Sequence, residues 1–340
     1  MVGIKDIAKA AGVSISTVSY ALNNSPKVTE ETRKRVLKIS NKMGYIPNAA
    51  ARSMKRRETR IVGAYILDYS GAFFGSLLKG MKEALAEYDY ELIVCSGIKS
   101  HRMIPERVVD GAIILDASFA DRDILEYGEM GCKLVVLDRT LNHENVGGLI
   151  LDNCTGVRLA LEELLKQKTK RLYIITGSKG TYDSQMRLIA AREFLENHRE
   201  LEVIEVEGNF DIRSGELAGE EIFRDISEPV SVFAFNDEMA VGVYNYAREH
   251  GYTIGKDVYL IGFDDIDICH YLEPTLTTVG WSKYNWGAMA AKKLMELLSG
   301  EAVEQDLVKL RLMKRNSHKD TMGEGRIRED ALKALGRNAR

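Results

Sequence analysis

IKDIAKAAGVSISTVSYALNN, residues 4–24, divides into two short helical patterns around one break. Ile4, Ile7 and Ala8 fall on one helical face. Ala11-Gly12-Val13 interrupts that helix, because glycine readily takes the left-handed backbone of a helix end. Ser14 is then a strong N-cap for a second helix, in which Val18, Ala21 and Leu22 share the buried face. Ile15, Ser16, Thr17 and Tyr20 are left pointing outward. Thr29-Glu30-Glu31 opens a third helix with its acids at the positive end of the dipole, and Val36 and Ile39 turn inward from it. This is the layout of a helix-turn-helix, whose second helix enters the DNA major groove.

A small helical bundle with an incidentally basic surface would share the pattern, but charge argues against it. Residues 1–60 carry 13 Lys and Arg against 4 Asp and Glu, a balance of +9. The 340-residue chain as a whole is −3, which leaves −12 for residues 61–340. A basic end on an acidic body suggests a nucleic-acid-binding segment joined to a body with another task. Hydrophobic residues at 45% and charged residues at 29% are ordinary for a globular chain, and the length suggests two or three compact units. No apolar run approaches the roughly 20 residues of a membrane span, and the N-terminus lacks the apolar segment of a secretory signal. The expectation is a cytoplasmic chain with no membrane partner. Cys95, Cys132, Cys154 and Cys269 are scattered, with no Cys-x-x-Cys pair, and read as buried free thiols. The histidines form no ligand cluster either, so neither a metal nor a cofactor is expected.

In chain order, Gly44 closes the third helix and Pro47 permits a new start. Asn48 can cap a short helix running from Ala49 to Met54, which is too short to be helical alone in water. From Arg60 the pattern changes. Apolar β-rich runs at 61–67, 91–95, 112–115, 134–137 and 146–151 alternate with helical spacing at 74–88 and 159–165. The alternation restarts with strands at 172–176, 201–206, 230–235 and 258–262 and helices at 186–197, 214–223 and 239–250. A late helix at 289–298 and a final strand at 307–312 follow. Two successive blocks of this kind imply two doubly wound parallel sheets, each covered by helices.

Ligands of such sheets bind beyond the carboxyl ends of the strands. The polar residues after the apolar runs are therefore the candidates: Asp68, Asp138-Arg139, Thr176-Gly177-Ser178, Asn236-Asp237 and Asp264-Asp265. Any one of them reads as a turn former, whereas carboxylates and amides after several successive strands converge on a pocket. No G-x-G-x-x-G, P-loop or G-x-S-x-G motif appears, which argues against phosphate cradling and against a serine nucleophile.

The pattern I-K-D-I-A-x-x-A-G-V-S-x-x-T-V-S-x-A-L-N at 4–23, with Y-x-P-N-x-x-A-R-S at 45–53, resembles the DNA-binding headpiece of the lactose/galactose repressor family. Further blocks are similar to the family's core: LVVLDR at 134–139, LDN at 151–153, the Arg187 helix, FNDEMA at 235–240, LIGFDD at 260–265 and P-x-L-T-T at 274–278. The resemblance covers roughly residues 3–313. It implies an N-terminal all-α helix-turn-helix headpiece plus an α/β core of the type I periplasmic-binding-protein kind, with two doubly wound parallel-sheet lobes and a cleft. The implied division is a DNA-binding domain at 1–46 and a hinge helix and linker at 47–60. A first lobe would take 61–154 with about 280–306, and a second 155–279 with about 307–315. Residues 316–340 would form a disordered basic tail.

By position, the resemblance puts Ile15, Ser16 and Tyr20 on base edges and Thr17, Ser19 and Asn23 on phosphates. Asn48, Ala51 and Met54 would lie in a hinge paired with its copy from a second subunit. The family usually has leucine at the Met54 position, as a wedge into the minor groove. Arg187, Asn236 and Asp264 match effector contacts, with Asp68 and Asp138 as further polar contacts. Phe73 and Phe74 match a loop that closes over the ligand, Phe210 an aromatic platform and Trp281 a pocket-lining residue. Between Cys95 and Val109 the chain departs from the family, because 96–107 leaves little room for the usual helix and Pro105 discourages one.

The expected function is a ligand-responsive repressor that binds a pseudo-palindromic operator as a homodimer. Its effector would be a sugar or sugar derivative, with a nucleobase as the runner-up because aromatic faces suit both. A transport-type sugar-binding protein would share the core but not the headpiece. An enzyme would need a catalytic pair, and none is marked.

Overall fold

The computed structural model describes residues 2–45, 58–67, 69, 73–224 and 226–319. It divides into two compact units, Met1–Thr59 and Arg60–Arg340.

In the first unit α1 spans Ile4–Ala11, α2 Ile15–Leu22 and α3 Glu30–Lys42. The break after α1 is Gly12 at φ 65°, whose N–H turns back to the carbonyls of Ala8 and Lys9. Ser14 Oγ accepts from the Thr17 N–H at 3.1 Å, and Thr29 Oγ1 accepts from the Thr32 N–H at 3.4 Å, so both expected caps form. Ile7, Ala8, Ala11, Val18, Ala21, Val28 and Val36 make the core of this unit, with Leu22 and Ile39 partly buried at its edge. The hinge positions Asn48, Ala51 and Met54 lie outside the described residues.

The second unit holds two six-stranded sheets. The first comprises β1 (Ile61–Ile66), β2 (Glu91–Cys95), β3 (Gly111–Leu115), β4 (Lys133–Val136), β5 (Val146–Leu151) and β11 (Gln305–Val308), in the order β11-β5-β4-β3-β1-β2. All its pairings are parallel. The second comprises β6 (Arg171–Ile175), β7 (Glu202–Val206), β8 (Val230–Ala234), β9 (Val258–Asp264), β10 (Thr277–Gly280) and β12 (Arg311–Met313), in the order β12-β10-β9-β8-β6-β7. Only β12 runs antiparallel.

The helices are α4 (Phe74–Ala86), α5 (Asp121–Glu129), α6 (Asn153–Leu164), α7 (Tyr182–Leu195), α8 (Ile212–Phe223), α9 (Asp237–Glu249) and α10 (Lys283–Ser299). Near-continuous burial of β1, β3, β5, β8 and β9 reflects helices on both faces. Each sheet order reverses once, between β1 and β3 and between β6 and β8, and such switch points open a crevice at the carboxyl ends.

Three expectations need correction. The strand expected at 307–312 is two strands. β11 joins the first sheet and β12 the second, so the first lobe's share reaches Val308 rather than stopping near 306. Leu310 is buried between them, which gave the segment one continuous apolar reading. Second, the core does not end at 315. Ser317 is 0% and His318 4% exposed. The Ser317 hydroxyl donates to the Leu260 carbonyl at 2.6 Å and accepts from the Thr277 N–H at 2.8 Å, while His318 lies 3.2 Å from Glu163. This anchor is polar, so it carried no hydrophobic signal. Residues 320–340 lie outside the described residues. Third, Cys154 is exposed, while Cys95, Cys132 and Cys269 are buried.

Between Cys95 and Val109 the chain forms a 3₁₀ turn over Ile98–Met103 and no α-helix.

Candidate functional site

In the first unit α2 presents Ile15 at 46% and Tyr20 at 36% exposure. Ser14 Oγ lies 2.7 Å from Ser16 Oγ and 2.8 Å from Thr17 Oγ1, so the cap holds both hydroxyls in place. The Asn23 amide donates to the Ser19 carbonyl at 2.8 Å. Lys27 Nζ sits 5.4 Å from the centroid of the Tyr20 ring, a cation–π contact that orients the phenol. Ile15, Ser16, Thr17, Ser19, Tyr20 and Asn23 thus share one helix and its cap, with an ammonium beside them.

In the second unit, aromatic rings link the two lobes. Phe73, at the start of α4, meets Trp281 edge-on at 6.1 Å and Phe74 at 5.3 Å. Trp281, just after β10, meets Phe263 at 5.9 Å and Trp286 at 5.9 Å. The Arg187 guanidinium lies over Phe263 at 3.6 Å and 6.0 Å from the Phe210 ring. Phe210 is a non-glycine residue at φ 62°, and its ring covers Gly177, where any Cβ would overlap it. The backbone after β6 must therefore be bare for the ring to lie there. The Trp281 indole N–H is buried and has no hydrogen-bond partner among the described residues. Leaving such a donor unpaired costs about 1–3 kcal/mol, which a ligand oxygen would offset.

The polar groups are arranged around Arg187, which is 3% exposed. Its Nε donates to Asn153 Oδ1 at 2.9 Å, and Nη1 donates to the Phe235 carbonyl. Nη2 lies 4.0 Å from Asp264 Oδ1, beyond hydrogen-bonding distance. Part of the guanidinium fork is thus already used by the protein, and Nη2 is the end directed at Asp264. Asn236 caps α9, accepting from the Met239 N–H at 2.9 Å and donating to the Phe210 carbonyl at 2.9 Å. One amide hydrogen and one lone pair remain to it.

Burial pushes the Asp264 carboxyl up to about 8, against the opposing pull of Arg187 and Lys283. Asp138 is likewise raised by burial, although Arg139 grips both of its oxygens at 2.9 Å. Asp237 is fully buried and structural. It accepts from Thr278 at 2.6 Å and from the Ile266 N–H at 3.0 Å, and burial raises it to about 6.

Phe73, Phe74, Arg187, Phe210, Asn236, Asp264 and Trp281 thus form one connected set. Asp138 joins it through Asp183, whose charge bears on both Asp138 and Asp264 and whose carboxylate accepts from Asn153 at 2.7 Å. Asp68 lies outside the described residues. Sequence reasoning assigned no role to Asn153, Asp183 or Lys283. Lys283 is 7% exposed, donates to the Asp264 carbonyl and lies 4.5 Å from the Trp281 ring. Asn153 and Asp183 open the first turns of α6 and α7, a position that could have flagged them. A separate cavity of about 430 Å³ opens at the amino ends of β6 and β8, beside Leu164, Leu172 and Leu201, and holds none of these side chains.

Residues 3–48 match the family described as "Bacterial regulatory proteins, lacI family", and residues 161–318 match the "Periplasmic binding protein-like domain". The chain is 32% identical over 308 residues to the "Probable HTH-type transcriptional repressor ExuR" of Bacillus subtilis, covering 88% of this chain and 92% of that protein. It is 32% identical over 318 residues to the "Ribose operon repressor" of the same organism, covering 91% and 96%. A crystal structure of a sugar-binding transcriptional regulator (LacI family) from Enterococcus faecalis superposes with a TM-score of 0.73 at 43% identity, over 77% of this chain and 98% of that one.

Proposed function

The chain belongs to the lacI family of bacterial regulatory proteins, and from that premise we propose that it is a ligand-responsive repressor which binds a pseudo-palindromic operator as a homodimer and takes a sugar-like effector between its lobes. The observation that carries the effector reading is the composite wall around Arg187: aromatic faces at Phe73, Trp281 and Phe210 beside Arg187, Asn236 and Asp264. Aromatic faces cover the C–H surfaces of a sugar ring, and the polar groups and the unpaired Trp281 N–H meet its hydroxyls. Similarity to a ribose operon repressor and to a sugar-binding regulator supports the same class. Burial raises the Asp264 carboxyl, which favours its protonated form and lets it donate as well as accept a hydrogen bond.

On the DNA side, Ile15 meets thymine methyls, while Ser16 and Tyr20 hydrogen-bond to base edges. Thr17, Ser19 and Asn23 contact phosphates and set the register. Effector binding shifts the population between two lobe arrangements, and operator affinity follows to the extent that the ligand prefers one of them.

Two measurements test this reading. In a thermal-shift series, D-ribose and related sugars should raise the unfolding midpoint, since a ligand that binds only the folded state stabilises it. A response to hypoxanthine or guanine with none to sugars would replace the sugar by a nucleobase. On an operator recovered by in vitro selection from random duplexes, Tyr20→Ala should cost about 1–3 kcal/mol and little on unrelated DNA. An equal loss on both would reject base reading by Tyr20.

A further inference from the structure

We propose that His101 is a positioning residue for the effector cleft: it fixes the Asp116–Asp121 loop, the loop anchors Arg139, and Arg139 sets the direction of Asp138. The inference rests on the cleft reading above, in which Asp138 contacts the effector. It gives a role to the 96–107 stretch, where the chain departs from the family's pattern.

His101 lies in the 3₁₀ turn at Ile98–Met103 and is 6% exposed. Its ring stacks on Phe119 with centroids 3.4 Å apart and planes 13° apart. Its Nε2 faces Asp116 Oδ2 at 3.6 Å, and neither atom has a hydrogen-bond partner among the described residues. The other oxygen of Asp116 accepts from the Ser118 N–H at 2.8 Å. The loop is therefore held on this side by the imidazole, through its stacked face and its edge, with the Tyr65 ring edge-on to Phe119 at 5.6 Å behind it.

Arg139 holds the same loop from the cleft side. It donates to the Asp116 carbonyl at 2.9 Å, to the Phe119 carbonyl at 2.8 Å and to Asp121 at 3.1 Å. The same guanidinium grips both Asp138 oxygens at 2.9 Å. A guanidinium is planar, so fixing it on two loop carbonyls fixes the direction in which it presents its remaining N–H groups. Displacing those carbonyls must turn Asp138 or break its paired contact. Removing the imidazole leaves a void under Phe119 and frees the loop to move.

The test combines calorimetric titration of D-ribose with a double-mutant cycle on the full chain. His101→Ala should raise the dissociation constant about tenfold, and His101→Gln, which keeps a planar amide over Phe119 and a polar group toward Asp116, should recover most of that loss. In a D138A background, which leaves Arg139 nothing to direct, His101→Ala should add nothing. If it weakens binding by the same factor with and without Asp138, or not at all, the inference is overturned. If wild-type protein does not bind D-ribose, ribose is excluded as the effector, and the sugar class as a whole is decided separately by the thermal-shift series. In that case, or if D138A binds too weakly to titrate, ligand-free crystal structures of H101A and H101Q decide. Loss of the Arg139–Asp116 carbonyl bond with a turned Asp138 in H101A alone supports the inference, and an unchanged network overturns it. Should H101A fail to fold, Phe119→Leu, which removes the stack on His101 together with the edge contact to Tyr65, takes its place in both arms.

Discussion

Asp264 sits at the end of β9 with φ 116°, a backbone angle that non-glycine residues seldom adopt. Strand pairing with Gly280 and the Lys283 ammonium on its carbonyl hold it there. Its carboxyl is raised from 3.8 to about 8, chiefly by burial. The folded state thus binds this proton more tightly than the unfolded state. Its stabilising contribution is complete below pH 3.8 and is lost as pH rises toward about 8. Asp237, raised to about 6, acts with the same sign but only up to that pH. Glu163 is held down to about 2 by Lys166 and Lys314, despite its burial. Its contribution has the opposite sign, complete above its ordinary 4.5 and lost as pH falls toward about 2. Asp264→Asn keeps the shape and removes the titration. The difference between wild-type and variant unfolding midpoints should therefore change steadily between pH 5 and 8, with the wild type losing ground as pH rises. A difference flat across that window would mean that Asp264 is already ionised in the folded protein.

Two helix pairs in the second unit meet through glycine. A Cβ at Gly80 of α4 would overlap the Tyr284 carbonyl of α10, and one at Gly287 would overlap the Leu77 carbonyl. Gly215 of α8 and Gly242 of α9 stand in the same relation to the Met239 and Ile212 carbonyls. These neighbours are backbone, which cannot rotate away. Gly80→Ala and Gly242→Ala should each cost about 1–3 kcal/mol in denaturant unfolding through overpacking. Gly75→Ala, with nothing within 4 Å of its Cβ, should be stabilising by up to about 1 kcal/mol. A loss as large in Gly75→Ala as in the other two would mean that close approach is not what makes glycine necessary. These contacts are tertiary and left no periodic trace. The strands were legible because both sheet faces are covered, which makes each an apolar run. α5 was missed because only Ile124 and Gly128 of Asp121–Glu129 are buried. β10 was missed because its four buried residues, Thr277 to Gly280, include two threonines and a glycine. In the cleft, the residues after strands were legible as candidates. The pairing of Asn153 with Arg187 and Asp183 spans about thirty residues and exists only in the fold.

Across the second unit, three short segments carry the chain between lobes: after β5, after β10 and between β11 and β12. Trp281, on the segment after β10, meets Phe73 of the first lobe on one side and Phe263 of the second on the other, so the proposed cleft is lined from both lobes. The other unit, residues 1–59, carries 12 Lys and Arg against 4 Asp and Glu, a balance of +8. On the proposed reading operator and effector bind different units of one chain, and any influence between them is a coupling free energy that must be reciprocal. If an effector found in the thermal-shift series lowers operator affinity by some factor, commonly about 5–150, the operator must lower effector affinity by the same factor. The check is calorimetric titration of that ligand into full-length protein, alone and saturated with the selected operator, set beside operator titrations with and without ligand. All four are run at one salt concentration, because phosphate contacts make DNA affinity fall steeply with salt. Equal factors around the cycle support a two-state switch linking cleft and headpiece. A ligand that binds the cleft and leaves operator affinity unchanged would have no preference between the lobe arrangements, and would not be the effector.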